Sequence, residues 1–329
     1  MSKKIIFTNG LIDLAQPRLG SKVIFKTDDF FASAKRIIDP LPPVFKDGLF
    51  DRNGKWMDGW ESRRKRTAGH DYLIIKLGKP GTISKVDVDT SHFNGNQPSM
   101  ISLEACYSKS NSIKNFKWKP LVNKKNTKAN CHHLFNTISK SIITHVKFNI
   151  FPDGGVARLR LYGSISKKNS NFGKKIINLA SLLNGASIIA CNNEHFGKAE
   201  NILAPGKAKN MGDGWETRRR RDKGFDWLIL NSIKGNKIDR IEISTHHFKG
   251  NFPSHCSLQA TFIPNKRSSS LIVKNSNMWK HLLNKVELSP NKTHIFRNIL
   301  MKNNKINYIK INIFPDGGIS RFKIFGRSI

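Results

Sequence analysis

Apolar residues along this chain recur mostly at every second position. Val146, Phe148 and Ile150 share one face of such a run, Ala157, Leu159 and Leu161 one face of another, and Ile101, Leu103 and Ala105 one face of a third. A period of two marks a strand with one buried and one solvated face. Between these runs lies dense turn chemistry. Asp153-Gly154-Gly155 and Asp316-Gly317-Gly318 supply the positive-φ positions that tight reversals need, and Asn94-Gly95 marks another. Helical periodicity is scarce: residues 30–38, preceded by Asp28 and Asp29 as N-cap candidates, and residues 195–203 are the two short helices the pattern predicts. The chain is expected to be all-β, built from antiparallel sheets.

The pattern is also duplicated. DGWESRRKRTAGHDYLIIKLG from Asp58 returns as DGWETRRRRDKGFDWLILNSI from Asp213. DVDTSHFNGNQPSMISLEA from Asp87 returns as EISTHHFKGNFPSHCSLQA from Glu242, and FNIFPDGGVARLRLYG from Phe148 as INIFPDGGISRFKIFG from Ile311. A period of about 150 residues is the size of a domain rather than of a solenoid unit. The expected organisation is a first β-sandwich over 1–163, a Ser-, Lys- and Asn-rich linker over 164–177 and a second β-sandwich over 178–329, two tandem homologous jelly rolls.

Composition narrows the function classes. Each half is long enough to bury its own core, and no apolar run approaches the roughly 18 residues that span a membrane. The first residues lack the apolar stretch of a secretory signal, so the cytoplasm is the expected compartment. Cys106, Cys131, Cys191 and Cys256 form no Cys-x-x-Cys pair and do not recur between repeats, which reads as reduced thiols. Fifty-seven basic against 23 acidic residues give a formal charge of +34. The lysines are scattered through loops such as SKSNSIKNFKWK and NKKNTKAN, and no nucleic-acid-binding motif accompanies them, so no specific nucleic-acid partner is expected.

Charged and amide residues kept in both repeats are the candidates for chemistry, because no sheet requires them. In the first repeat they are Glu61, Arg63, Arg64, Arg66, Asp71, His92, Asn96, Asp153 and Arg158; their counterparts are Glu216, Arg218, Arg219, Arg221, Asp226, His247, Asn251, Asp316 and Arg321. In an extended run Glu61 and Arg63 would share one face and Arg64 and Arg66 the other. Trp60 and Trp215 read as packing residues. The tandem D-G-W-E-x-R-R-x-R-x-x-G-x-D, the T-x-H-F-x-G-N-x-P and the closing F-P-D-G-G-x-x-R resemble the allantoicase family over essentially the whole chain. The resemblance implies galactose-binding-like jelly rolls that hydrolyse allantoate to ureidoglycolate and urea in purine breakdown.

Such a substrate carries one carboxylate and two ureido groups. Arginine forks suit the carboxylate, and Asp or Glu suits the urea N–H donors. Glu61, His92, Glu216 and His247 are therefore expected to move protons, and Arg63, Arg64, Asp153, Arg158, Arg218, Arg219, Asp316 and Arg321 to bind substrate. No zinc spacing or nucleophilic Ser or Cys motif is present; no cofactor is evident, and a divalent ion held by carboxylates is left open. A homo-oligomer is expected. The rival class is a noncatalytic small-ligand or glycan-binding tandem jelly roll. His70 matches Phe225, Ser91 matches His246 and Gln97 matches Phe252, so the repeats are not equivalent.

Overall fold

The alternating segments form antiparallel strands in a computed structural model of the protein, which describes residues 5–110, 112–166, 172 and 175–329. The chain divides into two units: one is Ile12–Lys168, the other Asn169–Ile329 together with Met1–Leu11. The start of the chain therefore does not belong with the first repeat. Ile6–Phe7 pairs with Ser187–Cys191, a fully buried edge of sequence SIIAC that needs covering. The equivalent edge in the first unit, Lys22–Lys26, protects itself with a lysine at each end. Ser164 and Ile165 continue the strand Arg158–Ile165, and Ile176 and Ile177 open the strand Ile176–Asn178. Half of the expected linker, residues 167–171, 173 and 174, lies outside the described residues.

One strand organises each unit. Asp71–Asp89 pairs through its first half with Lys22–Lys26 and Ile143–Phe151, and through its second half with His132–Asn136 and Arg158–Ile165. It therefore serves both layers of the sandwich, and Leu73, Ile75, Val86 and Val88 along it are wholly buried. Met100–Cys106 and Lys119–Asn126 extend the first layer. Asp226–Ser244 repeats the arrangement with Ser187–Cys191, Ile306–Phe314, Thr293–Phe296 and Arg321–Ser328. The fold is two tandem homologous jelly-roll sandwiches.

The helix expectations shrink. Only Ala34–Ile38 and Ala199–Leu203 turn, and they do so as 3₁₀ helices, closely followed by Pro40 and Pro205. Asp29 Oδ2 accepts from Ala34 N at 3.2 Å, but Asp28 Oδ1 accepts from Phe30 N at 2.9 Å and so caps a local turn instead. An unforeseen α-helix, Ser269–Asn275, starts where the Ser268 hydroxyl accepts from Leu271 N.

Two features fix the end of each sandwich where the duplicated motifs meet. Trp60 and Trp215 are completely buried, and their indole N–H groups donate to the carbonyls of Asp28 and Asn193 at 2.7 and 2.9 Å. Arg158, 2% exposed, spends every donor internally. Its Nε donates to Leu41 O, Nη1 to the carbonyls of Asp58 and Ala157, and Nη2 to Pro42 O and, at 2.8 Å, to Asp58 Oδ2. Arg321 does the same work for its own loop, with Nη2 2.8 Å from Asp213 Oδ2 and Nη1 donating to the carbonyls of Asn201, Asp213 and Ser320. These arginines tie a long loop to the sheet. They are not open forks.

Gly155 lies so close to Phe93 that a Cβ would stand 2.0 Å from the ring. Phe93 is wholly buried and cannot retreat, so Gly155→Ala is expected to cost about 1–3 kcal/mol in urea denaturation, whereas Gly250→Ala, with nothing within 4 Å, should leave the midpoint unchanged. Arg158→Ala strips a buried ion pair of one partner and is expected to cost about 3–5 kcal/mol. Arg63→Ala, at an exposed pair, should cost no more than about 1 kcal/mol in the same assay.

Candidate active site

The two-residue strand Trp60–Glu61 pairs with Gly155–Val156, and Glu61 sits opposite Gly155. Trp215–Glu216 pairs with Gly318–Ile319 in the same register. The extended run then stops. Ser62 N donates to Gly154 O at 3.2 Å, and Asp153 Oδ2 accepts from Lys65 N at 2.7 Å, so the basic segment is folded onto the Asp-Gly-Gly turn instead of alternating along a strand. Asp316 Oδ2 accepts from Arg220 N at the same 2.7 Å. The turn carries the positive φ that its sequence promised, at Gly154 and Gly317, each after a cis Phe-Pro bond.

This turn presents a carboxylate in an unusual setting. Glu61 Oε1 accepts from Asn96 Nδ2 at 2.8 Å and meets no Lys or Arg among the described residues. Burial holds the Glu61 carboxyl above the ordinary carboxylate range, only partly offset by the Asn96 amide. In the second unit Asn251 Nδ2 donates to Glu216 Oε1, and burial again raises the carboxyl against the opposing effects of Asn251 and the nearby His195. Asn96 arrives on the loop that begins at Asn94-Gly95, and the turn binds that loop through Gly155 N donating to Asn96 O at 2.7 Å. A carboxyl that holds its proton more tightly than an ordinary carboxylate, with one amide beside it, is chemically able to give and take a proton.

The arginines of the motif separate into two kinds. Arg63 Nε donates to Asp28 Oδ2 at 2.7 Å, with its guanidinium over the Phe30 ring at 5.1 Å. Arg64, Arg66, Arg218, Arg219 and Arg221 are exposed, and none of their side chains forms an ion pair among the described residues. The residue between them is a structural cation: Lys65 Nζ is 2.8 Å from Asp71 Oδ1, and Arg220 pairs with Asp226. Asp71 and Asp226 are thus occupied, as are Arg158 and Arg321. Asp153 and Asp316 each spend one oxygen on holding the motif.

The histidines differ between the repeats. His92 and His247 both adopt positive φ, 70° and 72°, at a turn fixed by Asn130 Oδ1 and Asn291 Oδ1, each accepting the histidine's backbone N–H. The His92 ring stacks on Phe45 at 5.7 Å, whereas His247 Nε2 donates to Ala208 O at 2.9 Å. Among the described residues no three of His, Cys, Asp and Glu converge on a point that would hold a metal. All four cysteines are free, three of them buried.

Sequence reasoning passed over Lys65 and Arg220 because they differ in type, and over Asp58 and Asp213 because the eye stops at the tryptophan two residues on. Both pairs had the available signal, a charge at the same place in each repeat.

Comparison with known proteins gives these residues a context. The family pattern described as "Allantoicase repeat" matches residues 12–166 and 177–329. A "Probable allantoicase" of Acinetobacter baumannii is 44% identical over 97% of this chain and 94% of its own, and a "Probable allantoicase 2" of Burkholderia pseudomallei is 44% identical over 97% and 96%. The crystal structure of allantoicase from Saccharomyces cerevisiae superposes with a TM-score of 0.81 at 32% identity, covering 97% of this chain and 94% of that one. The chain belongs to the allantoicase family.

Proposed function

We propose that the protein is an allantoicase, hydrolysing allantoate to ureidoglycolate and urea, and that Glu61 and Glu216 carry the proton traffic. What supports this reading is the desolvated carboxyl at the same place in each repeat, without a Lys or Arg partner among the described residues and hydrogen-bonded to a single asparagine amide. Allantoate has one carbon bearing a carboxylate and two ureido nitrogens. Cleavage breaks one C–N bond, delivers a proton to the departing urea nitrogen and leaves the hydroxyl of water on carbon. Glu61 in its protonated form supplies that proton and then draws one from water, so the cycle closes. The Asn96 amide oxygen is free to accept a ureido N–H, and Asn251 matches it.

The substrate carboxylate requires a cation not already spent. Arg64 and Arg219 meet that requirement, with Arg66 and Arg221 beside them in sequence. Arg63, Arg158, Arg321, Asp153 and Asp316 then belong to the support of the site, while Arg218, exposed and without an ion pair among the described residues, is as available as Arg219. His92 keeps a free imidazole and is retained as a second proton carrier; His247, tied to Ala208, is not. The glycan-binding alternative has less support, since the duplicated segment is rich in Arg, Glu and Asp and its tryptophans are buried. Action in the cytoplasm, as a homo-oligomer without a specific nucleic-acid partner, is part of the proposal; the four free cysteines suit a reducing compartment. No helix among the described residues is long and apolar enough to cross a membrane.

Urea release from allantoate by the purified protein is the direct test, and no urea above background between about pH 6 and 9, with and without divalent metal, would reject the activity. Glu61→Gln together with Glu216→Gln keeps the acceptor for each asparagine but removes the titratable proton; kcat is expected to fall at least about a hundredfold. The same change reports on the raised pKa of the two carboxyls. A carboxyl whose folded value lies above the unfolded one, about 4.3, contributes stability below that pH and loses it as pH rises through the folded value. The Gln variants should therefore melt higher than wild type at pH 7 and lose that advantage below about pH 4. Equal melting at both pH values would remove the premise of a desolvated carboxyl.

A further inference from the structure

The second unit holds a cavity of about 240 Å³ whose lining includes Lys207, Ser244, His246, Thr293, Arg321 and Lys323. None of these belongs to the glutamate–asparagine pair. Arg321 is 5% exposed and four of its five donors are engaged, but its Nε is buried without a partner. The cavity also contains Glu242, whose Oε2 is 3.2 Å from Lys323 Nζ, while its Oε1 accepts from Arg240. His246 donates through Nδ1 to Asn291 Oδ1 at 2.9 Å, which leaves Nε2 as an acceptor in the neutral ring.

The first unit builds the same place differently. Register aligns His132 and Thr293, which stand opposite Asp89 and Ser244 respectively. His132 Nδ1 lies 3.0 Å from Asp87 Oδ2 and its Nε2 3.7 Å from Asp89 Oδ2, and the Nε of Arg158 is satisfied by Leu41 O. Replacing that histidine–carboxylate pair by Thr293 and Ser244, and Pro42 by Lys207, takes away a bulky ring and a negative charge and adds a cation.

We propose that this cavity is a second, noncatalytic binding site for a small carboxylate that also bears amide N–H donors. The carboxylate meets Lys207, with the positive charge of Arg321 in the cavity wall; the N–H groups meet Glu242 and His246 Nε2. A site for a bare anion would not keep a carboxylate in its wall. That the N–H group is a ureido group rests on the proposed function; the carboxylate does not.

The test is calorimetric titration of the full-length protein with N-carbamoylglycine, a carboxylate with one ureido group, which reads binding without turnover. Ser244→Asp with Thr293→His installs the first unit's pair in the second. It is expected to weaken one binding event at least tenfold while urea release from saturating allantoate stays unchanged. Lys207→Gln, on the exposed rim, serves as the variant least able to disturb folding and should also weaken binding about tenfold. Unchanged binding in folded forms of both, or no binding of the probe to wild type, overturns the proposal. Because no turnover is required, that result is distinguishable from failure of the allantoicase reading, which would appear as absent urea.

Discussion

The site depends on removing a carboxylate from water without giving it a cation. Burying a charge alone is costly, so the group moves toward its neutral form instead. Glu61 is held there by constraints that converge from separate strands. Trp60 anchors the preceding residue in the core, Gly155 lets the partner strand close over Phe93, and Asn96 supplies one hydrogen bond. Asp153 pulls the basic segment back onto the turn, which gives its nearest cation, Lys65, to Asp71 rather than to Glu61. The same set of constraints recurs around Glu216, with Arg220 and Asp226 in the roles of Lys65 and Asp71.

The basic residues of the motif therefore do different work despite identical chemistry. Arg158 and Arg321 are structural because a buried guanidinium with five donors can tie several carbonyls of a loop at once. Arg64 and Arg219 are available because they project from a segment whose backbone, not whose side chains, is pinned. Loop closure, a dry carboxyl and a free cation thus arise from one short stretch of sequence, and the rest of each sandwich supplies rigid walls.

Strand period, turn residues and duplication made the all-β, two-repeat fold legible in the sequence, since each depends on local patterning. The sharing of one 19-residue strand between two layers was not legible, because pairing is a long-range choice. Nor was the docking of Ile6–Phe7 on Ser187–Cys191, whose alternation reads the same whichever edge it covers. Repetition marked the right residues for the site but could not assign their work. Arg158 and Arg64 look alike in a string; only the carbonyls of Leu41, Asp58 and Ala157 around the first distinguish them. Residues 30–38 and 195–203 failed as helices because proline follows too closely.

The most direct test of the central claim is a crystal structure of the Glu61→Gln, Glu216→Gln protein with allantoate bound. The account requires a ureido nitrogen within about 3 Å of the side chain at position 61 or 216, and the substrate carboxylate against Arg64 or Arg219. Allantoate bound with no atom near either glutamine would contradict it.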